Sequence, residues 1–125
     1  MPQLFITLAG ILGALSVAAG AFATHALRAK LSERAIEIFE TAARYQMYHA
    51  IALLAVALLL IRAEFSQPTL VVAGWAFIVG TVLFSGSLYV LSLTDIKVLG
   101  AITPLGGAAF ILGWLCLAYA GFSFK

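Results

Sequence analysis

Apolar positions run almost unbroken through four stretches of the chain, and polar residues gather in the short joints between them. Leu4 to Ala23, Ala50 to Ile61, Thr69 to Leu93 and Ala101 to Phe122 carry no charged side chain. A membrane-crossing helix needs roughly 20 mainly apolar residues for a hydrocarbon core about 30 Å thick. Three stretches reach that length, and the second does so once Tyr45 to His49 join it. The pattern predicts an all-α membrane protein of four transmembrane helices in an antiparallel bundle, with spans at about 4–24, 45–62, 69–92 and 101–122 of a single integral membrane domain, 1–125.

The first joint has a periodicity of its own. Ser32 is placed to cap a helix, with Glu33 in the first turn where the macrodipole favours it. Ile36, Phe39, Ala43 and Met47 then recur at helical spacing opposite Glu33, Glu37, Glu40 and Arg44. This amphipathic segment, about 32–44, is expected at the cytoplasmic surface. No Gly or Pro separates it from the second span, so it leads into that span. Glu40 and Arg44, four apart, form a favourable helical pair. Gln67-Pro68 marks the turn before span three. Thr103-Pro104 either starts the fourth helix or bends one that began near Lys97.

Composition agrees with lipid as the solvent: 64% hydrophobic, 10% charged, mean hydropathy +1.12. A formal charge of +2 is too mild for a nucleic-acid partner. Arg28, Lys30, Arg34 and Arg44 lie in the first joint and Lys97 in the third, against Arg62 and Lys125 on the other side. The positive-inside rule places both termini outside and the two charged joints in the cytoplasm. Ala21-Phe22-Ala23 imitates a signal-peptidase site, but no basic n-region precedes it and the apolar core is too long. Asp95 and Lys97 form an expected surface pair. The one cysteine, Cys116, excludes an internal disulfide and a cysteine-rich metal site.

Small residues are spaced for close helix contact. Gly10 and Gly20 in span one, Gly80 in span three, and Gly106, Gly107 and Gly113 in span four are assigned to packing. When residues are placed by depth, the polar ones collect in the cytoplasmic half. Span one ends there with His25; span two begins with Tyr45, Gln46 and His49. Span three ends with Ser85, Ser87 and Tyr89, and span four begins with Thr103. The expectation is a polar inner vestibule under a dry outer bundle. Gln46 and His49, and Tyr45 and His49, share a helix face, and an ionisable residue at membrane depth is a candidate functional site.

Gly20-Ala21-Phe22-Ala23-Thr24-His25-Ala26-Leu27 resembles the GAFGAH-L signature of a family of small bacterial membrane proteins. Phe39, Thr41-Ala42, Tyr45-Gln46 and His49-Ala50 follow its pattern, as do Phe84-Ser85-Gly86-Ser87-Leu88-Tyr89, Pro104-Leu105-Gly106-Gly107 and Gly113-Trp114. The chain is thereby similar, over nearly its whole length, to the domain-of-unknown-function family numbered 423, to which the eukaryotic transmembrane protein 256 group is related. Ala23 and Thr24 replace the more usual Gly-Ala before the histidine. The resemblance implies four transmembrane helices and a bacterial inner-membrane setting, and no particular activity.

Three functions compete on these residues. A non-enzymatic accessory bundle would bind lipid, a membrane-protein partner or a second copy of itself. A small transporter or proton-linked channel would use His49 as gate or relay, against the apolar outer half. A lipid-modifying enzyme would need a base, His25 or His49, but has no nucleophile, metal or acidic partner in view. No catalytic residue is assigned, and non-enzymatic roles are favoured. Two histidines on adjacent spans could hold a haem, yet nothing else supports one, and zinc would want further ligands. No cofactor and no metal are expected.

Overall fold

In the computed structural model, which describes residues 1–125, every long element is helical. Helix α1 runs Pro2–Phe22 and widens into a π-helical turn at Ala23–Leu27; α2 runs Glu33–Arg62. Helix α3, Pro68–Gly80, passes through a second π turn, Thr81–Ser85, into α4, Gly86–Thr94. A 3-10 turn, Lys97–Ala101, precedes α5, Thr103–Ser123. Taken as continuous helices, these make four rods long and apolar enough to cross a membrane.

The local reasons are legible. Pro2 and Pro68 sit in the first turns of α1 and α3, where a missing N–H leaves nothing unpaired. Ser32 Oγ accepts from the Ala35 N–H at 3.1 Å and caps α2. Asp95 ends α4 in the left-handed region at φ 58°, its N–H donating to the Leu91 carbonyl. It therefore serves as a helix stop and makes no ion pair with Lys97. Thr103-Pro104 resolves between the two expected forms. Ile102 is the N-cap, Thr103 and Pro104 open α5, and the preceding segment is 3-10 rather than irregular.

Helix α1 packs along α2, and α3 along α5, while α2 also lies against α3 and α4. The main core joins Phe5, Leu53, Val56, Leu70, Phe77 and Phe110. A smaller one joins Ala23, Leu27, Ile36 and Phe39. That second core explains the amphipathic segment. Its apolar face is covered by the end of α1, so the segment stands upright as the first part of α2. Glu40 pairs across the hairpin with Arg28 at 3.0 Å, and not with Arg44.

Hydrogen bonds between helices set relative heights. Ser16 Oγ donates to the Ala43 carbonyl at 2.6 Å and Gln46 Nε2 to that of Leu12 at 2.8 Å. Ser85 Oγ donates to the Ala42 carbonyl at 2.7 Å, and the Ser87 and Thr103 hydroxyls meet at 2.6 Å. Helix α5, 21 residues, is about 31 Å long, close to one hydrocarbon thickness. The end of α1, the start of α2 and the end of α4 therefore project past the start of α5. This projecting charged end lies opposite the end that carries both termini.

Candidate functional site

The polar residues expected in one vestibule divide into two sites on different sides of α2. His49, only 4% exposed, faces α5. Its Nδ1 lies 2.7 Å from the Tyr45 carbonyl. A carbonyl only accepts, so this nitrogen carries the proton. Its Nε2 accepts from the Trp114 indole N–H at 3.1 Å. The neutral Nδ1–H tautomer satisfies both contacts, and both ring nitrogens are occupied. The imidazole also stacks on Phe110, centroids 3.5 Å apart and planes within 5°. Phe77 and Trp114 lie at 5.6 and 5.9 Å.

Helices α2 and α5 meet here through these side chains rather than through close backbones. A lateral groove of about 650 Å³ opens between them, lined by Tyr45, His49, Phe84, Gly107, Phe110 and Trp114. Tyr45 is exposed at its rim.

The second site centres on Gln46, 5% exposed. Its Nε2 holds the Leu12 carbonyl, while its Oε1 accepts from the Tyr89 hydroxyl at 2.7 Å. Tyr89 packs edge-on against Phe39, centroids 4.9 Å apart. One glutamine thus ties α1, α2 and α4 together. A groove of about 650 Å³ runs above it between α1 and α4, past Leu15, Ala18, Phe22 and Phe39.

His25 joins neither site. It is exposed on the π turn that ends α1. The pairing of Leu12 with Gln46 and Ser16 with Ala43 sets His49 opposite about Ala9. The two histidines are then separated by about 16 residues of α1, roughly 24 Å. A haem held by both is excluded. No group of three or more His, Cys, Asp or Glu residues could hold a metal ion.

The depth assigned to His49 also changes. It contacts Phe110 and Trp114, the middle of α5, so it lies near mid-height of the bundle rather than at the charged end. Sequence placed it in the first turn of the second span, 45–62, at the charged end. The helices do not start level, and only contacts between them reveal that offset.

Ser85, Ser87 and Thr103 act between helices. Ser85 holds the Ala42 carbonyl, and Ser87, which also reaches the Phe84 carbonyl at 3.0 Å, meets Thr103 where α5 begins. The π turn at Thr81–Ser85 advances the register so that Ser85 faces α2 while Phe84 faces α5. No buried side-chain nitrogen or oxygen lacks a partner.

The glycines separate into two groups. A Cβ on Gly106 would strike the backbone of Phe84, one on Gly80 the Phe110 ring, and one on Gly113 the Phe77 ring. Gly107 has only ordinary contact, with Phe84 Cδ2 at 4.0 Å. Gly10 and Gly20 would meet nothing within 4 Å. Gly10 is thus turned away from the rest of the chain, because Ser16, Leu12 and Phe5 form the inward face of α1, while Gly20 borders an open groove with Ser16, Glu40 and Ala43. Phe110 and Trp114 are the residues the depth argument missed. The Gly113-Trp114 motif was their available signal, four residues beyond Phe110 on one face.

Fold and site define a polytopic membrane protein of four apolar helices, with its polar side chains internally bonded. The chain belongs to the family described as protein of unknown function (DUF423), which matches residues 19–107. It is 43% identical over 122 residues, 98% of each chain, to a UPF0382 membrane protein of Staphylococcus haemolyticus. It is 44% identical over 118 residues, 94% of this chain and 95% of the other, to the UPF0382 membrane protein YwdK of Bacillus subtilis. A UPF0382 membrane protein of Haemophilus influenzae is 42% identical over 125 residues, 100% and 98% of the two chains. No solved structure matches.

Proposed function

We propose that this protein is a non-enzymatic accessory component of the bacterial inner membrane, a single integral domain that holds a lipid chain in the lateral groove between α2 and α5. The groove carries the reading: it is apolar, about 650 Å³, and floored by the His49–Phe110–Trp114 stack. That volume lies within the range of ligand pockets. At mid-height of a membrane protein the surrounding solvent is acyl chain, so lipid is the occupant in greatest supply. The floor is rigid, because both imidazole nitrogens are bonded. A relay histidine needs an exchangeable partner, and His49 has none within the chain, which favours binding over transport. Orientation follows charge: the projecting end carries Arg28, Lys30 and Arg34, with Arg44 at its base, and the termini lie outside.

Native mass spectrometry after gentle extraction tests the reading. The expected result is retained lipid on the wild-type protein. Gly107→Phe, which projects into the groove from a position where an added Cβ meets only Phe84 Cδ2 at 4.0 Å, should retain less while staying folded. A bare wild-type protein would sink the proposal. Reporter fusions at Lys125 test the orientation, and a cytoplasmic signal would reverse it.

A further inference from the structure

We propose that the charged end holds a zwitterionic aminoalkyl phosphodiester, the phosphoethanolamine headgroup of a membrane lipid, in the cleft between the first turn of α2 and the last turn of α4. The cleft has a volume of about 330 Å³, and Lys30, Arg34, Ser92, Thr94 and Asp95 supply its polar lining. Its two walls have opposite electrostatic character.

One wall donates. Lys30 and Arg34 both line it, and neither takes part in an ion pair. The first turn of the 30-residue α2 stands beside them. Ser32 caps the Ala35 N–H, which leaves the Glu33 and Arg34 N–H groups without helical partners, at the positive end of the dipole. This wall suits a phosphodiester.

The other wall accepts. Asp95 lines it without an ion-pair partner, at the negative end of α4. Ser92 is 6% exposed, and its hydroxyl donates to the Tyr89 carbonyl at 2.8 Å, so only lone pairs remain for a ligand. The Thr94 hydroxyl donates to the Val90 carbonyl at 2.6 Å and accepts from the Ile96 N–H at 3.3 Å, so it is already engaged at the rim. A primary ammonium brings N–H donors to the Asp95 carboxylate and to the lone pairs of Ser92, which stands three residues before it on the same helix face. A choline headgroup brings none, and a purely anionic one meets the Asp95 carboxylate.

The location fits a lipid source. The cleft lies on the part of the molecule that projects past the start of α5, at headgroup height if α5 fills the hydrocarbon core. Leu93 borders both the cleft and the apolar groove between α1 and α4. A headgroup in the one has a path for its chain in the other.

This inference rests on the reading of the protein as lipid-binding and adds the class of headgroup. The test is competitive lipid retention, read by native mass spectrometry, with phosphatidylethanolamine, phosphatidylglycerol and phosphatidylcholine of identical chains at equal concentration. Phosphatidylethanolamine should be retained about fivefold over either competitor, the scale of one or two well-placed surface charge pairs. Asp95→Asn should abolish the excess over phosphatidylglycerol. The double variant Lys30→Gln/Arg34→Gln should lower phosphatidylethanolamine to the phosphatidylcholine level, with circular dichroism confirming retained helix. Equal retention of all three by the wild type would overturn the headgroup site and leave the lipid-binding reading intact. No retained lipid of any class would overturn both. Displacement by millimolar glycerophosphoethanolamine, which has no chains, would overturn the assignment to a membrane lipid.

Discussion

The two helix pairs of this bundle are joined by different means. Between α3–α4 and α5 the backbones approach through glycine: Gly106 lies against the Phe84 backbone, and Gly80 and Gly113 receive the rings of Phe110 and Phe77. Between α1 and α2 no glycine is in contact. Ser16 and Gln46 instead bridge the two backbones by hydrogen bonds to carbonyls, with Ala42 and Ala43 giving room. Membrane helices lack a hydrophobic drive to associate, so they depend on dispersion at close approach or on polar bonds. This chain uses one device for each pair. Shape complementarity tolerates no added atom, whereas a hydrogen-bonded seam tolerates added volume but not lost polarity.

The largest effect should come from Gly106→Ala. Its Cβ meets backbone, which cannot rotate away, so we expect a loss of about 3 kcal/mol, the upper end of overpacking costs, read from unfolding in mixed micelles. Gly10→Ala, an identical change on the outward face of α1, should stay within about 0.5 kcal/mol. A comparable loss at both glycines would break the comparison, since it would mean that α1 also uses its small residues.

Gln46→Leu comes next. It strips partners from the Leu12 carbonyl and the Tyr89 hydroxyl, and about 1–2 kcal/mol should be lost. A double-mutant cycle with Tyr89→Phe sharpens the point, since a coupling near zero would show that the Gln46–Tyr89 bond contributes nothing. Trp114→Phe keeps the aromatic surface and removes the donor to His49 Nε2. A loss of about 1 kcal/mol is expected, together with faster modification of His49 by an imidazole-acylating reagent. An unchanged modification rate would show that the indole does not hold that nitrogen. Apart from the Gly10 control, Ser16→Ala should have the smallest effect, about 0.6 kcal/mol, typical of one polar bond between membrane helices.

Much of this was legible in the residues. Run length gave four spans, because hydrocarbon thickness converts directly into residue number. The Ser32 cap and the uninterrupted stretch beyond it gave a continuous α2. Polar residues at membrane depth marked Gln46, His49, Ser85 and Tyr89 as worth attention. Depth counted along the chain misplaces His25 and the height of His49, because the helices do not begin level. A small-residue stripe states that a face permits close approach but not that a neighbour takes it: Gly10 faces outward, and Gly20 borders a groove without close contact. Lys30, Arg34 and Asp95 were read as charges for topology or a surface pair, because nothing along the chain shows that two helix ends of opposite polarity meet there.

The sequence by itself determined the solvent and the number of helices long enough to cross it, both of which depend on local composition and on the backbone's need for internal hydrogen bonds in lipid. Only the tertiary structure decided the offset between helices, the division of the polar residues by α2, and the partner of each imidazole nitrogen. Those depend on the rotation and height of one rod against another. Such quantities are set by contacts between residues far apart in the chain, as when the Trp114 indole meets a histidine 65 positions earlier.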